Sequence, residues 1–535
     1  MCSRWKSAPR TDPLQRMSPE SLLRGDSAAG PLIAGLAGVA LALAFAPFGL
    51  WPFSVLAPAL LFALLQGCTP RRAAWVGFCF GIGTFAAGTY WLYVSIHGFG
   101  KAPVWLALGL MAALVAVMAL YSAALGYLAA RWLPPRGAVR WAVGLPALWV
   151  LLEWLRGWVL SGFGWLSFGY AHTDTWLAGF APLGGVYLIS AIVLLMAGAL
   201  VMLWQGTRRE RLVAAVLLLV PWPVGAALDR IEWTKPVGSP VGVAIVQGAI
   251  PQDQKWLESN RETTLRRYRD LTLQVLGTPL VVWPEAAAPD LANNIVPYLR
   301  DLANAAQAQR SALLLGLIRA EPVNRGGSGA GPVTDLDELA YFNSLLAFGD
   351  EVTWYDKHHL VPFGEFFPVP KMVRRWLRLM SLPYSDFTQG AALQPPLQLA
   401  GLKLSASICY EDAYPATQRL TVLASTALVN VTNDAWFGRS TARYQHLQIS
   451  RMRAIEARRF MVRAANDGVS AVIDPQGAVV AQAPEYQAAA LRAQITPRSG
   501  ATPYLQTGNI PILLLGLGGF LFSLWSGFRR RERIS

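Results

Sequence analysis

Residues 404–412 read Leu-Ser-Ala-Ser-Ile-Cys-Tyr-Glu-Asp, an apolar and β-prone run that ends abruptly at a cysteine. A cysteine at the end of a buried strand presents its sulfur at the rim of a sheet, where a substrate can reach it. The alternative is a buried structural cysteine, which is the commoner environment of this residue type. Cys409 alone favours the structural alternative, so the choice depends on the rest of the chain.

Two other stretches place an ionisable residue at or just past the end of a strand-like run. Residues 281–285 read Val-Val-Trp-Pro-Glu, and residues 356–365 read Asp-Lys-His-His-Leu-Val-Pro-Phe-Gly-Glu. Glu285, Lys357 and Cys409 together offer a general base, a cation and a nucleophile. The three stretches together favour a catalytic cysteine.

The composition of the 535-residue chain indicates membrane spans. Hydrophobic residues make up 54% and charged residues 15%, and the mean hydropathy of +0.35 is too high for an ordinary soluble protein. The net charge of +14 could indicate nucleic-acid binding, but Arg-rich loops between spans account for most of it. The cysteines show neither zinc-site spacing nor a disulfide framework; they are Cys2, Cys68, Cys79 and Cys409.

The apolar runs predict a seven-span membrane domain over residues 31–228 and an eighth span at 509–527, each near the ~20 residues that a bilayer requires. Residues 1–30 are polar and lead into a long apolar run without a signal-peptide pattern, so we expect an uncleaved cytoplasmic tail. A basic cytoplasmic tail is expected at 528–535. The seven spans are predicted at 31–48, 51–67, 73–96, 103–130, 141–160, 178–204 and 211–228.

Arginines cluster after every second predicted span. The intervening short loops carry few positive charges, with Lys101 an exception. By the positive-inside rule, this alternation places both termini in the cytoplasm and the long segment 229–508 on the outer face. The clusters after spans two, four, six and eight are Arg71 and Arg72; Arg131, Arg136 and Arg140; Arg208, Arg209 and Arg211; and Arg529, Arg530, Arg531 and Arg533.

Segment 229–508 alternates β-rich runs with amphipathic helical stretches, which predicts one α/β domain with sheets covered by helices. Helices are predicted at 261–275, 296–308 and 444–460, and a hairpin at 470–482. The predicted strands are 241–246, 280–283, 312–318, 345–348, 352–355, 402–408 and 427–431.

Four motifs carry a resemblance to a known family. They are residues 283–285 (Trp-Pro-Glu), 357–365, 408–411 (Ile-Cys-Tyr-Glu) and 433–437 (Asn-Asp-Ala-Trp-Phe). The chain resembles the nitrilase superfamily, whose catalytic residues are Glu, Lys and Cys in this order, and within it the apolipoprotein N-acyltransferases of the bacterial inner membrane. The resemblance covers nearly all of the chain after residue 30. It implies a multi-span α-helical membrane domain plus an external, periplasmic α/β nitrilase-like domain, an αββα sandwich.

The chemistry of the three central residues follows from their types. A free thiol has a pKa near 8.5, so little of it is thiolate at neutral pH. Glu285 can take the thiol proton as general base, and Lys357 can stabilise the thiolate and the oxyanion. The backbone N–H of Tyr410, directly after the nucleophile, is a second oxyanion donor. The resemblance implies that Glu365 holds Lys357, with an ordinary loop carboxylate as the alternative, and it places Glu411 in the cysteine motif.

One position departs from the family pattern. Ala286 stands where Ser or Thr is expected after the glutamate. If a hydroxyl there helps to orient the base, this chain lacks it, and we expect activity to survive the loss.

The resemblance implies a two-stage, ping-pong reaction. Cys409 attacks the acyl ester of a phospholipid and forms a thioester. The α-amine of a diacylglyceryl-modified N-terminal cysteine on an apolipoprotein then attacks the thioester and becomes N-acylated. Both substrates carry acyl chains that leave a bilayer reluctantly, which explains a membrane-embedded scaffold. No metal or diffusible cofactor is expected, and no nucleic-acid partner.

Four residues are candidates for substrate and lipid binding. Trp256 is expected on a loop near the site, and Trp436 belongs to the fourth motif. Gly162 and Trp165 resemble a family segment near the lipid entrance. The alternatives are a packed surface tryptophan for Trp256 and an interfacial anchor for Trp165.

Other polar residues have structural alternatives. Glu153 and Arg156, in the predicted fifth span, form either a structural pair or a substrate site. His358 and His359 should point to opposite faces of a strand and serve packing and hydrogen bonding, with no metal. A cluster in or near the last predicted helix is expected to be a solvated, salt-bridged face, with lipid-headgroup contact the alternative; it comprises Arg451, Arg453, Arg458, Arg459 and Arg463.

Two rival functions remain open from the sequence. The same three residues would serve a membrane-anchored nitrilase-like amidase that passes its acyl group to water, although such a hydrolase needs no eight-span scaffold. A transporter or receptor with a degenerate external domain is the rival from another class. The intact set Glu285, Lys357 and Cys409 counts against it.

Overall fold

The computed structural model describes residues 27–322, 339–366 and 387–532. Within these ranges the chain forms a helical region, then a two-sheet region, and finally one long helix. Most of the predicted tail 1–30, and residues 533–535 of the predicted tail 528–535, lie outside the described residues.

Helices build this region, and most of them have a capped or proline-containing first turn. They are α1 (Gly30–Ala42), α2 (Pro52–Leu64), α3 (Pro70–Gly88), α4 (Trp91–Phe99), α5 (Val104–Trp132), α6 (Leu145–Arg156), α7 (Ala181–Gln205), α8 (Arg208–Leu219) and α9 (Pro221–Asp229). The Thr69 hydroxyl accepts a hydrogen bond from the Arg72 N–H (3.4 Å) at the start of α3. Thr207 and Glu210 form a capping box at the start of α8.

In the described part of the chain, four helical segments are long and apolar enough to cross a membrane: Val104–Trp132, Trp176–Gln205, Arg208–Asp229 and Ile510–Arg529. A fifth exists if α3 and α4, bent by 52°, form one span. Helices α1 and α2 have 13 residues each, about 20 Å of helix against the ~30 Å of a hydrocarbon core. A turn at 43–51 separates them, so the apolar run there gives two short helices, and the number of spans stays a prediction.

The two-sheet region contains fourteen strands within the described ranges: β1 (Lys235–Pro236), β2 (Val241–Gln247), β3 (Leu280–Val282), β4 (Ala312–Pro322), β5 (Leu339–Phe348), β6 (Val352–Asp356), β7 (Leu397–Leu399), β8 (Leu402–Ile408), β9 (Ala427–Thr432), β10 (Met461–Ala465), β11 (Ala471–Ile473), β12 (Val479–Gln482), β13 (Ala489–Ile495) and β14 (Arg498–Ser499). The first sheet has the order β13-β2-β3-β4-β5-β6, and the second has the order β12-β11-β10-β9-β8-β7. Strands β1 and β14 form a separate antiparallel pair.

Strand directions place the candidate catalytic residues at one edge of the sandwich. Strands β2, β3 and β4 are parallel, and β8, β9 and β10 are parallel in the other sheet. Strand β6 is antiparallel to β5, which is antiparallel to β4, so β6 and β3 run in the same direction. Glu285 follows β3, Lys357 follows β6 and Cys409 follows β8.

Helices cover both outer faces of the sandwich. They are α10 (Glu258–Val275), α11 (Val296–Ala308), α12 (Arg419–Leu423), α13 (Ala442–Ala457) and α14 (Pro503–Thr507). The last helix, α15 (Ile510–Glu532), packs instead against α6 and α7 of the helical region. Apolar side chains of the two sheets, such as Val282 and Ile408, share one core between the sheets. Helices α10 and α11 bury apolar side chains against the first sheet, and α13 does so against the second. The expected αββα layering is confirmed. Helix α13 also contacts α7 of the helical region.

Candidate active site

Cys409 sits at a sharp turn between β8 and a short 3₁₀ helix, Cys409–Ala413. Its φ of 52° lies in the left-handed region, which costs free energy for a residue with a side chain. Burial raises the pKa of the Cys409 thiol well above its ordinary value, and the negative charge of Glu285 adds to this, while the Lys357 ammonium opposes it. The resting thiol is therefore protonated and needs a base to become a nucleophile.

Lys357 is the centre of a buried ring of polar side chains. Its Nζ lies 3.3 Å from Glu285 Oε1 and 2.9 Å from Glu365 Oε1. Asn343 Nδ2 donates to the same two oxygens, at 2.7 and 2.9 Å. Burial disfavours the Lys357 ammonium, but Glu285 and Glu365 outweigh it and raise the pKa of Lys357 well above its ordinary value. Lys357 is therefore a permanent cation in this site.

Glu285 is oriented by groups other than the missing hydroxyl at position 286. Its Oε2 accepts the backbone N–H of Asn433 (2.9 Å), which follows β9 in the other sheet. Ala286 itself has a positive φ of 44°. A Cβ at Gly316 of β4 would lie 2.0 Å from the Pro284 carbonyl oxygen, so only glycine lets β4 pass behind this turn.

Glu411 braces the two halves of the site. Its Oε2 accepts the Ile408 N–H (2.7 Å) and the Tyr355 hydroxyl (2.9 Å). Its Oε1 accepts the N–H groups of His358 (2.8 Å) and His359 (3.2 Å). Burial raises the pKa of Glu411, although these hydrogen bonds act in the opposite direction. The side chain ties the end of the nucleophile strand to the backbone that follows Lys357.

The helical region completes one wall of the site. The Tyr410 hydroxyl donates to the Gly162 carbonyl (3.0 Å), and the rings of Trp165 and Tyr410 are stacked with centroids 6.1 Å apart. Trp165 is 2% exposed, and its Nε1 donates to Gln445 Oε1 (2.8 Å). Gly162 and Trp165 thus lie beside the residue after the nucleophile, and Trp165 is buried in the protein. Their roles in lipid binding stay predictions.

Two of the predicted lipid-binding residues are exposed. Trp256 is 39% and Trp436 is 41% exposed. The backbone carbonyl of Trp436 accepts the Ser95 hydroxyl (2.8 Å) of α4. Its neighbour Phe437 packs edge-on against Trp91, with centroids 4.9 Å apart. Both tryptophans can meet a substrate from outside, and their roles also stay predictions.

Lys255 is a buried lysine that the sequence did not single out. It is 1% exposed, and its Nζ donates to the backbone carbonyl of Glu285 (3.4 Å). Burial lowers the pKa of Lys255 to about 8, against the raising effects of Glu285 and Asp467. A second amine thus lies behind the proposed base.

Glu153 and Arg156 have separate partners that hold the loop before α7. Glu153 accepts the Ser190 hydroxyl (2.6 Å), and Arg156 donates to the carbonyls of Phe163 (2.7 Å) and Trp165 (2.6 Å). Both side chains are buried and bind protein groups. These contacts support the structural interpretation of the pair.

The prediction for the two histidines is wrong in its geometry. His358 and His359 lie beyond the end of β6, and their rings contact each other with centroids 4.7 Å apart. The His358 Nδ1 lies 2.8 Å from the Gly390 carbonyl, and the His359 ring stacks on Tyr414 at 4.1 Å. Strand alternation does not apply because the backbone has left the strand. Among the described residues, no group of three or more His, Cys, Asp or Glu side chains is arranged to hold a metal ion.

The prediction of a solvated arginine face is also wrong. Arg453, Arg458, Arg459 and Arg463 are between 0% and 9% exposed. Helix α13 is covered by the second sheet on one side and by the helical region on the other. The charged side chains on and near this helix therefore find partners inside the protein. Arg453 of α13 pairs with Glu456 (3.0 Å), and Arg463 of β10 pairs with Asp434 (2.8 Å).

Comparison with known proteins gives the family. The model of the apolipoprotein N-acyltransferase N-terminal domain matches residues 37–199, and the carbon-nitrogen hydrolase model matches residues 242–504. An apolipoprotein N-acyltransferase of Azotobacter vinelandii is 42% identical over 506 residues, which cover 94% of this chain and 95% of the relative. The chain belongs to the apolipoprotein N-acyltransferase family. A family member from Vibrio cholerae is 39% identical over 514 residues, covering 94% of this chain and 98% of the relative.

Solved structures outside the apolipoprotein N-acyltransferase family show a weaker likeness. A carbon-nitrogen hydrolase from Helicobacter pylori is 17% identical, with a TM-score of 0.35, covering 54% of this chain and 94% of that one. An amidase from Nesterenkonia is 18% identical, with a TM-score of 0.34, covering 52% and 97%. Likenesses of this strength say nothing about chemistry.

Proposed function

We propose that this protein transfers an acyl chain from a phospholipid, through a thioester on Cys409, to the α-amine of the N-terminal diacylglyceryl-cysteine of apolipoproteins. The observation that carries the proposal is the buried ring in which Lys357 bridges Glu285 and Glu365 at the sheet edge of the strained Cys409. Membership of the apolipoprotein N-acyltransferase family supports the acceptor.

In the first stage, Glu285 removes the proton of the Cys409 thiol as the sulfur attacks the ester carbonyl carbon. Lys357 cannot be this base because its raised pKa keeps it protonated. The Lys357 ammonium and the Tyr410 N–H stabilise the oxyanion. The C–O ester bond then breaks, and the leaving alcohol oxygen of the lysophospholipid takes the proton from Glu285.

In the second stage, the acceptor amine attacks the thioester carbonyl carbon. Glu285 takes a proton from the amine, the same two donors stabilise the second oxyanion, and the C–S bond breaks. Cys409 leaves as a thiolate beside Lys357 and takes the proton back. The products are an amide on the acceptor and the free enzyme, ready for another phospholipid.

The wall shared with the helical region suits an acyl substrate. Aromatic rings follow one another beside Cys409 at centroid distances of 4.9–6.2 Å; they belong to Phe437, Trp91, Trp165, Phe163 and Tyr410. Trp91 and Trp165 are buried, and Phe163, Tyr410 and Phe437 are partly exposed. An acyl chain packed on the partly exposed rings stays out of water while its ester reaches the thiol.

We also propose the bacterial inner membrane as the location, with a multi-pass arrangement and cytoplasmic termini. The proposed boundaries are 31–228 for the membrane domain, 229–508 for a periplasmic catalytic domain and 509–527 for the last span.

Mass spectrometry of the intact protein after incubation with phospholipid tests this function. The wild type should gain the mass of one acyl chain, which hydroxylamine removes, and Cys409→Ala should gain none. The matched control is Cys79→Ala, which removes a cysteine of α3 and should leave the adduct unchanged. Absence of any adduct on the wild type would contradict the proposal and favour a transporter or receptor.

A further inference from the structure

A closed network of charged side chains lies directly behind the nucleophile. His446 of α13 is at its centre, between Asp412 in the 3₁₀ helix after Cys409 and Asp434 after β9. Arg463 of β10 donates to Asp434 Oδ2 (2.8 Å) and to the Ser450 hydroxyl (2.7 Å). The four charged residues are at most 3% exposed. Asp434 belongs to the fourth motif of the family resemblance, but the proposed reaction gives no role to this network.

The geometry assigns the protonation state of His446. Its Nδ1 lies 2.9 Å from Asp434 Oδ1, and its Nε2 lies 3.0 Å from Asp412 Oδ1 and 3.1 Å from the Cys409 carbonyl oxygen. All three partners are acceptors, so both ring nitrogens must carry protons. Burial disfavours the imidazolium and Arg463 repels it, but Asp412 and Asp434 outweigh both and raise the pKa of His446 to about 9.

Two positive and two negative charges then balance inside the network. His446 and Arg463 are the cations, and Asp412 and Asp434 are the anions. Buried charges persist in a protein when they are paired and hydrogen-bonded in this way. The ring of Trp165, from the helical region, has its centroid 5.7 Å from that of His446 and adds an uncharged face.

The Cys409 carbonyl is the point where this network meets the reacting groups. Besides His446, the Asn430 side-chain amide donates to it (3.3 Å). In a trans peptide, the carbonyl of one residue and the N–H of the next point in opposite directions. Holding the Cys409 carbonyl toward His446 therefore aims the Tyr410 N–H away from it, on the other side of the same peptide plane. The left-handed φ of Cys409, 52°, needs such a restraint.

We propose that His446 is a positioning residue. Its imidazolium donates a hydrogen bond to the Cys409 carbonyl and so orients the Tyr410 N–H toward the oxyanion. The proposal rests on the thioester chemistry of the proposed function. It does not depend on which acyl donor or acceptor is used, because any acyl ester that reacts with Cys409 forms an oxyanion. An artificial donor can therefore test the positioning role even where natural phospholipid fails.

The experiment compares two reactions of Cys409 in His446→Gln, in a background where Cys2, Cys68 and Cys79 are alanine. Acylation by p-nitrophenyl octanoate passes through an oxyanion, whereas alkylation by iodoacetamide displaces iodide and forms none. We expect acylation to slow about tenfold to a hundredfold, a part of what the loss of an oxyanion donor costs, with alkylation within threefold of the wild type. His446→Leu, which has no donor at all, should acylate more slowly than His446→Gln.

A matched control and two contrary outcomes make the comparison decisive. His172→Gln changes another fully buried histidine, which lies in the helical region and contacts Ser54 (2.9 Å), and should leave the ratio of the two rates unchanged. Equal slowing of both reactions in His446→Gln would show a general structural role and overturn the proposal. Acylation within twofold of the wild type would overturn it as well. Wild-type acylation by p-nitrophenyl octanoate without acylation by phospholipid would contradict the proposed function alone.

A measurement on the unmodified protein decides the matter if the variants do not fold. The chain has five histidines, so NMR of ¹⁵N-histidine-labelled wild type can be assigned with substitutions at the other four. We expect the His446 ring to carry protons on both nitrogens at pH 7 and to lose one near pH 9. A neutral His446 tautomer at pH 7 would overturn the proposal.

Discussion

The two sheets supply unlike halves of the active site. At the edge of the first sheet, Glu285 and Glu365 share one cation, Lys357. When one of these carboxylates takes up a proton, the other still balances the charge of the lysine. Behind the second sheet edge, the charges of the network around His446 are matched and sealed from water. The first half can transfer protons, and the second half restrains the strained backbone at Cys409. Charge balance and exposure distinguish the two roles more clearly than residue type does.

We expect the largest effect on acylation from Lys357→Met, in the half of the site that transfers protons. The change removes an oxyanion donor and leaves two carboxylates facing each other, so Cys409 acylation should fall by about a thousandfold or more. Loss of the cation should also lower the free energy of unfolding by about 3–5 kcal/mol. Single-turnover acylation and thermal unfolding measure the two effects. Lys403→Met, at an exposed position of β8, is the control, and acylation within tenfold of wild type in Lys357→Met would remove Lys357 from the mechanism.

The next largest effect on acylation should come from Glu411, which connects the two halves of the site. In Glu411→Gln, an NH₂ group replaces one of the two carboxylate oxygens. Both oxygens accept hydrogen bonds from N–H or O–H groups, and an NH₂ group cannot accept them. At least one buried donor therefore loses its partner. The ends of β8 and β6 should then shift apart, and acylation should slow by about a hundredfold. The exposed Glu351→Gln should have no effect on the same rate. A normal acylation rate in Glu411→Gln would mean that the halves are held together by other contacts.

The half of the site around His446 should make the stability of the protein depend on pH. The pKa of His446 is about 9 in the folded protein and about 6.5 in an unfolded chain. Its contribution, on the order of 3 kcal/mol, is complete below pH ~6.5 and is lost as the pH rises to about 9. Lys255, with a folded pKa of about 8, acts in the opposite sense above that pH. The difference in unfolding temperature between wild type and His446→Gln cancels the Lys255 effect and should shrink from pH 6.5 to 9; a constant difference would show that His446 is not charged.

The smallest effect should come from the exposed rim, which belongs to neither half. Trp436→Ala removes an indole that is 41% exposed, so the free energy of unfolding should change by less than about 1 kcal/mol. Loss of contact with an acyl chain should raise the KM for phospholipid about threefold to tenfold with little change in kcat. Trp176→Ala, at a residue 63% exposed, is the control. A fall in kcat at constant KM would assign Trp436 a role in chemistry.

Much of the first half could be predicted from the sequence. Glu285, Lys357 and Cys409 each follow an apolar β-prone run, and local patterning reveals the ends of strands. Asn343 lies inside β5, and its contacts with Glu285 and Glu365 depend on which strands are neighbours. That order is a long-range property, so no local signal marks Asn343.

The second half was beyond local patterning for a different reason. Charged residues are mostly exposed in proteins, and this general tendency predicted a solvated arginine face. Arg453 of α13 and Arg463 of β10 are buried because α13 lies between the second sheet and the helical region. Hydropathy also predicted the break between the first two spans at 49–50, but the turn extends over 43–51 and leaves two helices of 13 residues each. The arginine error arises from packing between distant parts of the chain.

The most direct test of the account follows the acyl group from a preformed thioester. Wild-type protein is loaded with one acyl chain, freed of phospholipid, and mixed with a diacylglyceryl peptide that carries a free N-terminal cysteine amine. Mass spectrometry then compares N-acylated peptide with free fatty acid, using an N-acetylated peptide as the control. The account predicts discharge onto the free amine, faster than onto water and absent with the blocked peptide. Discharge to water at the same rate with either peptide would contradict it and identify a membrane-bound hydrolase.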